Sequence, residues 1–332
     1  MTSEGGNHKR PRIETGNGDS IARIRPRTWE RILVASGVGF RVYRGLLAKR
    51  SEVFCDLFSV PQPRDSQLVF GCPVVHLSDT DVALRELLDV LMCGKRYILK
   101  NDVELDRLSY RIRLAHKYGI EDLLEESIRE LKKLYPTTLS EWADLRRHYS
   151  PRAITAVNLA RLTKTHTVWP SALYVCCQLD DHYLVDGTTH PDGTVERLDR
   201  DDLLRCITAK VDYTHLFTDA IHDLFLHLDS PSHKCYSKAT CRLLFRCIRG
   251  EARSRSFAGM AGVLEPWDKL LDKYDRKKTS DIALASLCEL CTTTLRAHTK
   301  SRITDTWADL PHDFGGDYDD WNEGGATSES DD

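Results

Sequence analysis

A chain of 332 residues, 41% apolar and 29% charged, has the make-up of a globular protein and the length for two ordinary domains, each able to bury its own core. A formal net charge of −3 excludes nucleic-acid binding driven by bulk positive charge, and no apolar run approaches the roughly 18 residues of a membrane span. The start, MTSEGGNHKRPRIE, lacks the apolar centre of a secretory signal; the eleven cysteines are therefore expected as reduced thiols in cytoplasm or nucleus.

Residues 1–25 are nearly free of large apolar groups and are expected to form a disordered basic tail. Lys9-Arg10-Pro11-Arg12 reads either as a short nuclear-import patch or as an ordinary solvated basic segment. Ile32–Ala35 is apolar, Ser36, Gly37 and Gly39 interrupt it, and Phe40 and Val42 then alternate with Arg41 and Tyr43. That is the pattern of a β-hairpin. From Leu46 the period becomes helical: Leu46, Leu47, Val53, Phe54, Leu57 and Phe58 predict two short helices about Ser51, stopped by Pro61 and Pro63. Pro73–Leu77 predicts a third strand. Ser78 or Asp79 offers an N-cap for an amphipathic helix carrying Val82, Leu84, Leu87, Leu88 and Leu91 and closing at Cys93-Gly94. Tyr97–Leu99 is expected as a brief edge contact. Two more helices follow, Leu105 to Tyr118 before Gly119 and Ile120 to Leu134 before Pro136. The second has acids at its start and Lys132-Lys133 at its end, as its dipole favours.

The second half reads as mostly helical. Thr138-x-x-Glu141 is a capping box, Ser150-Pro151 and Trp169-Pro170 are helix starts, and Asp199-x-x-Asp202 caps a helix containing Leu203, Leu204 and Ile207. Cys241, Leu244, Phe245 and Ile248 share one helical face, as do Leu284, Leu287, Cys288, Cys291, Leu295 and His298. From Pro311 onward there are eight acids and no Lys or Arg, which predicts a disordered acidic tail.

These residues carry a resemblance. The order Phe40-Arg41-Val42-Tyr43, Leu46-Leu47-Ala48, Ser51, Phe54, Phe58 and Val75-His76-Leu77-Ser78-Asp79 is similar to the BTB/POZ fold. More narrowly, the chain resembles the BTB-domain proteins of mushroom-type (basidiomycete) fungi. Asp192-Gly193-Thr194 before a capped Leu-Leu helix adds to the match, as does Cys288-x-x-Cys291 followed by His298, Arg302, Trp307, Leu310-Pro311 and Phe314-Gly315. The fold class implied is α+β, a small sheet covered by helices followed by a mostly helical domain. The expected boundaries are 1–25 tail, 26–137 BTB/POZ, 138–311 helical domain and 312–332 tail.

Few residues argue for chemistry. Asp180, Asp181, His182, Asp186, His190 and Asp192 hold the residue types of a hydrolytic metal site, but Asp186-Gly187 and Asp192-Gly193 are turn dipeptides and the segment reads first as a polar loop. The chain has no Walker A or dinucleotide glycine loop. Arg242, Arg246, Arg249, Arg253 and Arg255 read as a solvated surface before a phosphate-binding one. The remaining candidates are Cys235, Cys241, Cys288 and Cys291. Their x5 and x2 spacings suit a structural zinc with four thiolates, with His298 a substitute ligand. Their places on apolar faces suit packed thiols, the reading that stands first. A redox pair at Cys288 and Cys291 stands last, because helical turns are predicted before Cys288 rather than a helix start.

No catalytic or cofactor-binding residue is assigned and an enzyme is not expected; zinc is the sole cofactor considered. The resemblance implies a non-catalytic protein-interaction module that forms homo- or heterodimers through its BTB part, with no membrane partner and no nucleic acid. One alternative is a DNA-associated transcriptional regulator. Another is a cullin-3 ubiquitin-ligase adaptor, although the family's apolar-x-acid motif has no clean match in Cys93–Asp102.

Overall fold

The computed structural model describes residues 30–61, 68–93, 105–145, 149–226, 234–254, 262–265, 271–272, 286–316 and 321. The expected basic tail with its Lys9–Arg12 patch, Tyr97–Leu99, the Leu284 turn and most of the acidic tail lie outside these residues. An N-terminal mixed α/β region with a small sheet is followed by a largely helical region.

The sheet is built on a hairpin of β1 (Glu30–Ala35) and β2 (Val38–Tyr43), in register from Glu30 opposite Tyr43 to Ala35 opposite Val38. Its two-residue turn holds Ser36 at φ 47° and Gly37 at φ 80°, the paired left-handed conformation that matches strand twist. Helices α1 (Arg44–Arg50) and α2 (Glu52–Ser59) cross over to β3 (Leu68–Val69) and β4 (Cys72–His76). Strand β4 lies parallel to β1, and the sheet order is β2-β1-β4-β3. Strand β3 is only two residues long, too short to leave an alternating pattern in the sequence, and pairs with β4 through a turn at Phe70 and Gly71. Helices α3 (Asp81–Cys93), α4 (Leu105–Lys117) and α5 (Glu121–Leu134) complete the region.

Local chemistry explains these boundaries. Ser51 caps α2 by accepting from the Phe54 N–H at 3.0 Å, and its hydroxyl donates to the Tyr118 carbonyl, so one small side chain ties the helix start to the end of α4. The cap of α3 is Thr80, whose oxygen accepts from the Ala83 N–H at 3.3 Å, in place of the expected Ser78 or Asp79. Asp79 is instead engaged by Lys117 and Tyr118. Phe54 stacks on Tyr118 at 4.2 Å and Phe58 at 5.7 Å, within a core that includes Leu33, Val42, Leu84 and Leu87. Leu91, expected in that core, is half-buried.

The helical region comprises α6 (Leu139–Asp144), α7 (Ala153–Thr163), α8 (Trp169–Cys177), α9 (Asp181–Asp186), a short hairpin of β5 (Thr188–Thr189) and β6 (Val195–Glu196), α10 (Arg200–Leu226), α11 (Lys238–Ser254) and α12 (Glu289–Asp313). Helix α8, WPSALYVCC, has no charged residue and is buried along its whole length at the centre of this region. Around it pack Trp142, Tyr213, Trp307 and Phe314. Thr138 caps α6 as expected: the Glu141 N–H reaches the Thr138 oxygen at 3.4 Å, and the Thr138 hydroxyl donates to the Glu141 carboxylate at 2.8 Å, a side-chain pairing of the same two residues.

Three expectations need correction. The segment from Asp180 to Asp192 is not simply a polar loop; it forms α9 and one arm of the β5–β6 hairpin, with the two Asp-Gly dipeptides supplying positive-φ glycines. Helix α12 begins at Glu289, because Cys288 is extended (ψ 153°) and serves as its N-cap residue. The helical region also runs past 311: α12 continues to Asp313 with Pro311 inside it, and Trp321 is buried against Trp307.

Candidate metal centre

Cys235, Cys241, Cys288 and Cys291 are all buried, and their four sulfurs lie within 4.8 Å of one another. They form a four-cysteine cluster capable of coordinating a metal ion. The Cys288 and Cys235 sulfurs are 3.7 Å apart, near the ~3.8 Å edge of a tetrahedron with metal–sulfur bonds of about 2.3 Å. All four are free thiols.

Two helix starts build the cluster. Cys235 precedes α11 and Cys241 lies in its first turn; Cys288 precedes α12 and Cys291 lies in its first turn. Each pair therefore contributes one sulfur just before a helix and one just inside it. The N-terminal ends of both helices point partial positive charge at the cluster, which favours thiolate over thiol. The Cys288 N–H also donates to the Cys241 sulfur at 3.3 Å. Burial pushes the Cys241 thiol up to about 11 and also raises Cys291. Burial opposes ionisation of Cys288 as well, but the Cys291 N–H and the neighbouring sulfurs outweigh it and lower that thiol. With a helix start at Cys288, the argument from preceding helical turns against a redox pair no longer holds. The pair nevertheless shares its space with two further buried thiols. His298, the proposed substitute ligand, is exposed and two turns away.

The other polar constellation is one the sequence reading missed. His190, at the tip of the β5–β6 hairpin, is buried with its Nδ1 at 2.7 Å from Asp106 of α4 and its Nε2 at 2.7 Å from Glu196 of β6. Arg152, the residue just before α7, pairs with Asp106 at 2.7 Å, and Arg113 of α4 pairs with Glu196, which also accepts from Asn158 at 2.8 Å. Glu196 resists burial through His190, Arg113 and Asn158, which hold it at about 2; Glu196 first, then Asp106, raises the His190 pKa. The carboxylates sit on opposite ring nitrogens, so they do not converge on a common ion. Next to them a cleft of ≈ 390 Å³ opens between α4, Thr80 and the hairpin. Charges facing it are internally paired: Lys117 with Asp79, Arg113 with Glu196, and Asp192 with the Thr80 hydroxyl at 2.9 Å. The arrangement fastens the hairpin to both halves of the chain. Asp106 and His190 are 84 positions apart in the chain, so no local spacing announces the pair.

Among the described residues no other group of His, Cys, Asp and Glu gathers as a metal site, and no helix is long and apolar enough to cross a membrane. Of the arginines named from the sequence, Arg242 and Arg246 of α11 are exposed and Arg249 is half-buried; the Arg253 side chain and Arg255 lie outside the described residues. Searches against protein-family models, curated proteins and solved structures return no match to this chain.

Proposed function

We propose that this chain is a non-catalytic protein-interaction module whose N-terminal region is BTB-like and self-associates. The observation that carries this reading is the order of the N-terminal elements: a hairpin, a helical pair, a strand returning parallel to β1, then α3 and the α4–α5 pair. The resemblance carried by Phe40–Tyr43, Ser51, Phe54 and Val75–Asp79 supports the same reading. Surface chemistry supports it as well. Tyr43 at the end of edge strand β2, and Leu68 and Phe70 at and beside edge strand β3, are open to solvent, with Phe70 78% exposed. Exposed apolar side chains along the outer strands of a sheet are a usual setting for a partner surface.

Sedimentation velocity of the full chain at micromolar concentration tests this. The expected species is a dimer of the 37.9 kDa chain. A strict monomer at every concentration overturns self-association and restricts the reading to pairing with a different chain.

A further inference from the structure

We propose that the four-cysteine cluster is a closed, structural zinc(II) site, and that zinc holds together the small core between α11 and the first half of α12. This inference stands independently of the interaction reading.

The ligand set selects the metal. Four thiolates with no carboxylate or imidazole among them suit a soft or borderline ion and exclude magnesium and calcium. Four protein sulfurs leave no open position, so the site is structural. Sulfurs confined within 4.8 Å surround a single ion; an iron–sulfur cluster, with its own atoms between the ligands, needs them spread wider. The N–H of Cys288 directed at the Cys241 sulfur is the kind of outer-shell bond that orients a thiolate ligand.

The surrounding packing shows why the metal matters. Of the eleven described residues buried in this core, four are the cluster cysteines; the others include Phe217, Leu244, Phe245, Ile248 and Leu295. More than a third of these described core residues are thereby thiols. Without metal, those thiols supply only the weak packing of small hydrophobes; with it, they cross-link two helix starts through cysteines as far apart in sequence as Cys241 and Cys288, 47 positions. None of the four lies in either of the other two cores. The far half of α12 is anchored separately by Trp307, Leu310 and Phe314. Loss of zinc is therefore confined to one part of the molecule.

The test uses the full chain. Elemental analysis of protein purified without chelator should return about one zinc per chain. The Cys288→Ser/Cys291→Ser double variant should lose it, and Cys55→Ser, an exposed cysteine outside the cluster, should keep it. Cobalt(II) added to the metal-free chain should give the charge-transfer and d–d bands of a tetrahedral tetrathiolate; this reads the site directly even if the double variant fails to fold. Chelation should speed amide exchange in 241–248 and 289–296 by at least about tenfold while leaving 153–177 unchanged. Iron in place of zinc overturns the metal assignment. Metal-free protein without tetrathiolate cobalt bands overturns the site. Unchanged exchange, or exchange speeded throughout the chain, overturns the confined structural role.

Discussion

His190 shows how a single residue joins the two halves of the chain. Its ring lies between carboxylates from α4 and β6, within reach of Thr155 of α7 at 3.4 Å. Arg152 and Arg113 compensate the same carboxylates, and Asp192 adds a further negative charge nearby. The charged imidazole is favoured in the folded protein, so its pKa is raised above the unfolded value of about 6.5. The stability it contributes is full below about pH 6.5 and is lost as pH rises through the higher folded value. His190→Gln should cost about 3–5 kcal/mol at about pH 6, the range for removing one partner of a buried pair, and less at about pH 9. Urea midpoints of both proteins at the two pH values check this; a difference that does not shrink with pH refutes the protonated clasp.

At the scale of elements, α12 is the most informative. It spans 25 residues, about 37 Å, and serves two cores, the cysteine cluster at its start and the tryptophan-rich centre near its end. Pro311 lies inside it and has no N–H to offer the Trp307 carbonyl one turn back. That carbonyl is taken by the Trp321 indole N–H at 2.9 Å, while the Trp321 ring stacks on Trp307 at 5.0 Å. A residue from the expected acidic tail thus completes the hydrogen bonding that the proline leaves open, so Pro311 is accommodated inside the helix. Trp321→Phe keeps the stacking ring and removes the donor. It should lower stability by about 1–3 kcal/mol, the cost of leaving a buried carbonyl unpaired, and denaturant unfolding measures it. Trp321→Ala should cost more, since both the ring and the bond are lost.

For the whole molecule, the boundary expected at 137 does not separate two cores. Helix α4 has two buried faces: Tyr110, Leu114 and Ala115 enter the sheet core, and Leu108 and Ile112 enter the helical core. Leu131 and Tyr135, at the end of α5 and just after it, join the helical core as well. The buried pair of Arg111 with Glu86 at 2.8 Å links α4 back to α3. A fragment ending at 137 would expose those four side chains, each worth about 1.5–3 kcal/mol when buried. It should bind a hydrophobic dye and unfold at lower urea than the same segment in the full chain. A fragment as stable as the full chain, with no dye binding, shows that the sheet region stands alone.

Most individual elements were legible in the sequence because their causes are local. The turn at Ser36-Gly37, the Ser51 cap, the Thr138 cap and the apolar stripe of α11 each depend on residues within a few positions of one another. The four cysteines were legible as two spaced pairs. Whether the pairs meet was not, since Cys241 and Cys288 belong to different helices and spacing carries no information about which helix starts face each other. The start of α12 was misread for a related reason: Leu287 and Cys288 fit a helical stripe equally well as an extended entry into the core. The His190 clasp, the donor from Trp321 and the second buried face of α4 were decided only in three dimensions. They rest on charge pairing, an unpaired carbonyl and burial between segments far apart in the chain, and such long-range partners leave no periodic trace in the sequence.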